Sequence, residues 1–331
     1  MIRRGKSITG KPVGPNKTQQ KTIKPSKTRK IIRRYHFLNQ TKLKLLKLLR
    51  LDDANNLLYE SLRSGNSHFR EGCDLRHQEL NSIIETQLIK INQHKEDKSL
   101  LYKLLGYVYY ELMDSQGLAN YQMASKMGQD SKRGGDSSKI LIEWMKEIIP
   151  REDKKMMRAL EIGSLSSKNK ISTSGIFNPV VRIDLNNSND EEGIIRQDFM
   201  KRPIPKEDSD KFDLISCSLV LNFVPTPIGR GEMCERFEQF LKRDRKGYVF
   251  IVLPLPCLAN SRYMTSERFH SMMKCIGYEK LQYKEAKKVC YMLYQRANDN
   301  TTTQKRSPFT RKKQCRDGPG MNNFNIMLNK D

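Results

Sequence analysis

The chain has 331 residues, 37% of them hydrophobic, and a formal net charge of +24 at pH 7 from 61 Lys and Arg against 37 Asp and Glu. That length holds one full-sized domain with extensions or a smaller second one, and no apolar run approaches the ~20 residues needed to span a bilayer, the most apolar, YVFIVLPLPCLA (248–259), being cut by Pro254 and Pro256. The seven cysteines (73, 217, 234, 257, 275, 290 and 315) are scattered, with no C-x-x-C and no Cys–His cluster at zinc spacing, which excludes a zinc module and predicts reduced thiols in an intracellular protein.

From Met1 to Leu51 there are 16 Lys and Arg and no Asp or Glu, so about two-thirds of the net charge sits in less than one-sixth of the length. Such a block repels itself, stays solvated and attracts polyanions over a Debye length of ~8 Å. Nucleic-acid phosphate is the natural partner, because each neutralised phosphate releases a counterion; a merely solubilising tail has the same composition. Residues 1–34, with Gly5, Gly10, Pro12, Gly14, Pro15 and Pro25 among lysines, read as a disordered basic arm. It ends in KTRKIIRR (27–34), which serves equally as a nuclear or nucleolar address and as an RNA contact. Its first residues lack the apolar core of a signal peptide, so secretion is not expected. Only TKLKLLKLLRL (41–51) is both basic and amphipathic, so no membrane partner is expected.

Residues 35–149 follow a helical pattern. LDDANNLLYESLRS, ELNSIIETQLIKINQ and KSLLYKLLGYVYYELMDS space apolar residues three and four apart. Leu43, Leu46 and Leu49 are expected to face a partner helix. GLANYQMASKMGQDSKRGGDSSKILIEWM (117–145) is punctuated by Gly128, Gly134 and Gly135, with Asp136 or Ser137 able to cap a last helix. This stretch is either an ordinary helix–turn–helix connection or a wall over the site that begins at Glu161.

Beyond Pro150 the pattern changes. MRALEIGS, NPVVRIDL, KFDLISCSLVLNFV, GYVFIVLPL, EKLQYKE and VCYMLYQR are strand-like, with TPIGRGEMCERFEQFLKR and TSERFHSMMKCIG as helices between the later ones. Alternating strands and helices predict an α/β fold, a mostly parallel Rossmann-like sheet over residues 150–296 with helices on both faces. Only about 15 residues separate the first two strands, close to the minimum for a parallel crossover, so the helix between them must be short. Residues 297–331 read as a loose, polar and basic tail.

In such a sheet, ligands settle at the carboxyl ends of the strands beside the first one. Glu161 lies in that strand, Gly163 follows it, Asp184 closes the second, and Asp198 closes the next segment, IIRQDF. The spacing from Gly163 to Asp184 suits a cofactor whose ribose hydroxyls are gripped by Asp184. Leu165 stands where a dinucleotide site carries its second glycine. A phosphate-free cofactor with a cationic sulfonium, S-adenosylmethionine, therefore fits the three carboxylates better than a pyrophosphate does. No metal is called for.

ALEIGSLSSKN, VVRIDLN, RQDF, FDLISCSLVLNFVP and the upstream GLANYQ…RGGDSSK together resemble the fungal 25S rRNA adenine-N1 methyltransferase family over residues 100–296. The resemblance implies a class I methyltransferase domain, S-adenosylmethionine as donor, large-subunit rRNA in pre-60S particles as partner, and residence in the nucleus and nucleolus. It assigns Gly163 and Asp184 to the cofactor and Asp198 to the cofactor's adenine, with Glu161 either ordering the loop or facing the methionyl amine. The segment after FDLISCS lacks the Asn/Asp-Pro-Pro-aromatic turn of exocyclic-amine methylases, which leaves the catalytic residue open. Asn222, as a hydrogen-bond partner of the target base, and Phe223, as a stacking surface, are the candidates. The alternative is a non-catalytic S-adenosylmethionine sensor that acts through a protein partner.

Overall fold

The computed structural model describes residues 25–52, 58–75, 82–113, 136–149, 156–185, 192–297 and 306–330. Five helices come first: α1 (Pro25–Leu49), α2 (Leu58–Gly65), α3 (Ser67–Asp74), α4 (Ser82–Ile89) and α5 (Lys98–Met113). Helix α1 starts at Pro25, so the described part of the expected disordered arm is helical; residues 1–24 lie outside the described residues. The physical reason is local. Proline is tolerated in a first helical turn, and nothing between Ser26 and Leu49 breaks a helix.

The buried face of α1 is Leu38, Leu45 and Leu46; Leu49 is partly buried, and Leu43 is 44% exposed and does not face a partner helix. Arg34 anchors the helix by ion pairs of 2.6 Å to both Glu85 of α4 and Glu111 of α5. Helices α3 and α5 cross at glycines. A Cβ on Gly106 would lie 2.0 Å from the carbonyl oxygen of Phe69, and one on Gly72 would lie 1.9 Å from that of Lys103. Gly106→Ala is therefore expected to lower stability by about 1–3 kcal/mol or more. A urea titration read by circular dichroism checks it, with Gly65→Ala, where nothing lies within 4 Å, as the neutral control.

Seven strands form one sheet: β1 (Met157–Ile162), β2 (Phe177–Asp184), β3 (Ile194–Arg196), β4 (Leu214–Ser218), β5 (Tyr248–Pro254), β6 (Tyr278–Glu285) and β7 (Val289–Arg296). Their order is β3-β2-β1-β4-β5-β7-β6, with β7 antiparallel to both neighbours and the other pairings parallel. This is the expected Rossmann-like, mostly parallel sheet. The crossover from β1 to β2 contains only a four-residue helix, Lys170–Thr173, as the short spacing requires.

Period-two alternation along the strands feeds two cores. Leu160, Ile215, Ile251 and Met292 face one side, where α7 (Pro227–Phe240; Met233, Phe237) and α8 (Ser266–Cys275; Phe269, Met272) cover them, so the two described later helices stand where the sequence puts them. Ala159, Leu214, Phe250 and Leu293 face the other, covered by α6 (Ser138–Ile148) through Leu141, Trp144 and Met145. Helix α6 thus packs on the sheet rather than with the core of α1–α5. Trp144 meets Phe250 edge-on at 6.1 Å.

The end of the chain also departs from expectation. Phe309, Phe324, Ile326 and Leu328 are buried in the core on the α7 side, so residues 306–330 are a packed strap. Arg230 of α7 holds it, donating from Nη1 to the carbonyl of Asn325 at 2.7 Å and lying over the Phe324 ring at 4.7 Å.

Candidate functional site

The sheet reverses its winding at β1, with β2 on one side and β4 on the other, which opens a crevice at their carboxyl ends. The loop leaving β1 turns there at Gly163, whose φ of +78° is costly for any residue with a Cβ. The amides of Gly163 and Ser164 both donate to the carbonyl of Ile183, at 2.8 and 3.2 Å. Neither N–H is left to cradle a phosphate. A phosphate-free cofactor makes no demand on these two amides, so the residues fit one.

Glu161 is buried beneath this loop. Ser164 Oγ donates to its Oε2 at 2.8 Å and Asn169 Nδ2 to its Oε1 at 2.9 Å. Both oxygens serve the loop, so of the two expected roles the geometry supports loop ordering. Burial pushes the Glu161 carboxyl above its ordinary value of 4.5, against the opposing pull of those hydrogen bonds and of Arg182. A raised folded value means that the native state holds the proton more tightly than the unfolded chain does. Stability is then lost as pH rises from about 4.5 through the raised value. Glu161→Gln, whose amide oxygen can still accept from Asn169 while its amide nitrogen donates to Ser164 Oγ, is expected to be at least as stable as wild type above that window. The difference should close below it, as urea midpoints between about pH 4 and 8 would record.

Asp184 ends β2 beside Gly163, and its carbonyl accepts from Gln197 N at 2.8 Å. Asp198 follows β3, and its Oδ1 caps a short turn by accepting from Met200 N at 2.9 Å. The four predicted residues thus meet at the carboxyl edge of three adjacent strands, with one oxygen of Asp198 committed to capping.

Strand β4 supplies the facing wall. Leu219, immediately after it, has φ +57°, a left-handed conformation that few non-glycine residues adopt. Val220 then packs so closely that a Cβ on Gly163 would lie 2.3 Å from its Cγ2. Asn222 and Phe223 follow in a single 3-10 turn, both half-buried. The Oδ1 of Asn222 is buried and accepts no hydrogen bond. Helix α1 reaches this wall, where Gln40 Nε2 donates to the carbonyl of Pro225 at 3.2 Å.

The sequence marks Asp136 or Ser137 as a helix cap and gives Ser138 no role of its own. Asp136 Oδ1 does cap α6 by accepting from Ser138 N at 2.9 Å, and its Oδ2 accepts from Lys170 N at 2.5 Å. Ser138 Oγ accepts from Ile171 N at 2.9 Å, and Ser137 Oγ lies 2.8 Å from Ser218 Oγ at the end of β4. Three consecutive residues thereby join α6, the loop after β1 and β4. The signal was their conjunction with the glycines before them; the rest of that stretch, 114–135, lies outside the described residues. Near this edge Cys217 is buried and Cys257 half-buried, and desolvation pushes both thiols up to about 12, away from the nucleophilic thiolate. Among the described residues, no group of His, Cys, Asp and Glu is placed to hold a metal ion.

The sequence model of the family described as 25S rRNA (adenine(2142)-N(1))-methyltransferase, Bmt2, matches residues 106–326. A Saccharomyces cerevisiae 25S rRNA (adenine(2142)-N(1))-methyltransferase is 41% identical over 346 aligned positions, covering 98% of this chain and 99% of that one. A Schizosaccharomyces pombe 25S rRNA adenine-N(1) methyltransferase is 41% identical over 189, covering 55% of this chain and 67% of its own. Among solved structures, a Burkholderia thailandensis 1,6-didemethyltoxoflavin-N1-methyltransferase overlays with a TM-score of 0.40 at 9% identity, over 54% of this chain and 87% of the other.

Proposed function

Because this chain belongs to the 25S rRNA (adenine(2142)-N(1))-methyltransferase family, we propose that it methylates N1 of one adenine in large-subunit rRNA with S-adenosylmethionine. In this reading the adenine is the counterpart of the one in the family's name, and the chain works on pre-60S particles in the nucleolus. The observation that carries the acceptor half is the buried, unpartnered Oδ1 of Asn222 at the end of β4. An adenine brings the group it lacks, because the N6 amino group donates beside N1 on the same Watson–Crick edge.

The cofactor supplies an electrophilic methyl group on a cationic sulfur. Gly163 leaves room at the end of β1, Asp184 would accept from the ribose hydroxyls, and Asp198 would meet the cofactor's adenine. Asn222 Oδ1 accepts from N6 and holds the in-plane lone pair of N1 toward the β1 loop, with Phe223 against the ring. That lone pair would take the methyl group directly, the methyl–sulfur bond breaking as the N1–methyl bond forms, so no residue of this chain need remove a proton first. Alignment of this kind is equivalent to effective molarities on the order of 10⁵ M or more. The target adenine must be unpaired or turned out of its helix, since its pairing edge is the one that reacts.

The test is transfer of labelled methyl to large-subunit RNA from cells lacking this protein, with the nucleoside identified by mass spectrometry. Label in 1-methyladenosine that disappears with Asp184→Ala supports the reading. Binding of S-adenosylmethionine without label in any RNA, naked or in pre-ribosomal particles, overturns it in favour of a sensor.

A further inference from the structure

A second polar cleft lies at the opposite edge of the sheet, where β5 begins and β7 ends. It encloses about 500 Å³ and is lined by Glu238, Arg243, Asp244, Arg245, Lys246 and Arg296. Its cations divide into those already committed and those still available. Lys242 turns inward to Asp213 Oδ2 at 3.3 Å, and Arg245 Nε lies 3.4 Å from both Asp213 Oδ1 and Asp244 Oδ1. Arg296 Nη2 donates to the carbonyls of Arg243 and Arg245, at 3.3 and 3.0 Å, and so fixes the shape of the loop. Its Nη1 is buried, 3.6 Å from Glu238, so this guanidinium is committed to the fold. Arg243 and Lys246 are exposed at the mouth, and neither has an ion-pair partner among the described residues.

We propose that this cleft is a phosphodiester-binding site, a second anchor for the RNA backbone remote from the reacting base; the proposal rests on the reading of the chain as an RNA methyltransferase. A phosphodiester presents two non-bridging oxygens, which suits two exposed cations, Arg243 and Lys246, on a loop whose shape Arg296 fixes from beneath. Strand β5 has seven residues, so at about 3.3 Å per residue its ends, and hence the two sites, stand roughly 20 Å apart. A single nucleotide cannot touch both. A large folded RNA running along the side of the sheet can, and each phosphate it leaves here adds affinity without reading sequence.

The test is the Arg243→Glu/Lys246→Glu double variant of the full chain, with binding to a large-subunit RNA fragment measured without cofactor between about 50 and 200 mM KCl. The slope of log K against log salt should become shallower by about 1.5–2. Affinity at about 0.15 M salt should fall roughly tenfold, with S-adenosylmethionine affinity unchanged. Lys95→Glu/Lys98→Glu, an equal charge change on the helical region, should alter the slope by less than about 0.5. An unchanged slope in the first variant, an equal loss in the second, or no RNA binding by wild type overturns the site. Because binding is read without methyl transfer, the two proposals fail separately. Absent 1-methyladenosine with an intact slope effect sinks only the enzyme; methylation with an unchanged slope sinks only the cleft.

Discussion

Gly163→Ala is expected to reduce methyl transfer at least about a hundredfold, the usual cost of misplacing reacting groups by about 1 Å. Two effects add at this position. The backbone φ of +78° costs a residue with a Cβ about 1–2 kcal/mol. The new carbon would also lie 2.3 Å from Val220 Cγ2, so the β1 loop and the β4 wall must separate. These are the two surfaces that must bring methyl donor and base together. Gly175→Ala isolates the first effect, since its φ is +76° but nothing lies within 4 Å of the added carbon. That variant should lose stability and keep both cofactor affinity and turnover. Calorimetric titration with S-adenosylmethionine and single-turnover label transfer on both variants decide it; equal activity of Gly163→Ala and wild type would remove Gly163 from the site.

The double variant Ile326→Ala/Leu328→Ala is expected to unfold most of the protein at 37 °C. Each side chain is almost fully buried, and truncating such residues costs about 2–5 kcal/mol apiece. The sum approaches the whole ~5–15 kcal/mol stability of a typical domain. The strap has no slack to absorb the loss: a Cβ on Gly231 of α7 would lie 2.0 Å from the carbonyl oxygen of Met327. A urea or thermal unfolding curve reads the result. Stability within about 1 kcal/mol of wild type would mean that residues 306–330 lie loosely on the surface after all, as their composition suggests.

The near-continuous apolar runs of MRALEI, YVFIVLP and VCYMLYQR determined their strands by themselves, because a strand buried on both faces needs apolar side chains on both. The distance from Gly163 to Asp184 fixed a short crossover, and with it the meeting of Glu161, Gly163, Asp184 and Asp198 at one sheet edge. All of that is local periodicity plus chain length. Other features were decided only by tertiary contact. Leu219 has no sequence mark of its left-handed φ, which it adopts where its N–H donates to the carbonyl of Val252 on the neighbouring strand at 2.9 Å.

Asp136, Ser137 and Ser138 show a cap in sequence, but their bonds to Lys170, Ile171 and Ser218 exist only once α6 lies on the sheet. The strap was concealed by its lysines and arginines, although Phe324, Ile326 and Leu328 alternate as a strand does. Its identity as core depends on Arg230, nearly a hundred residues earlier, satisfying the carbonyl of Asn325. The same holds for KRDRKG (242–247). As sequence it is one more basic run in a basic chain, and only folding separates the cations spent on Asp213 from those still facing solvent. Sequence fixes a residue's charge and period, whereas its partners are set by elements far along the chain, and at this protein's loops the partners decide the role.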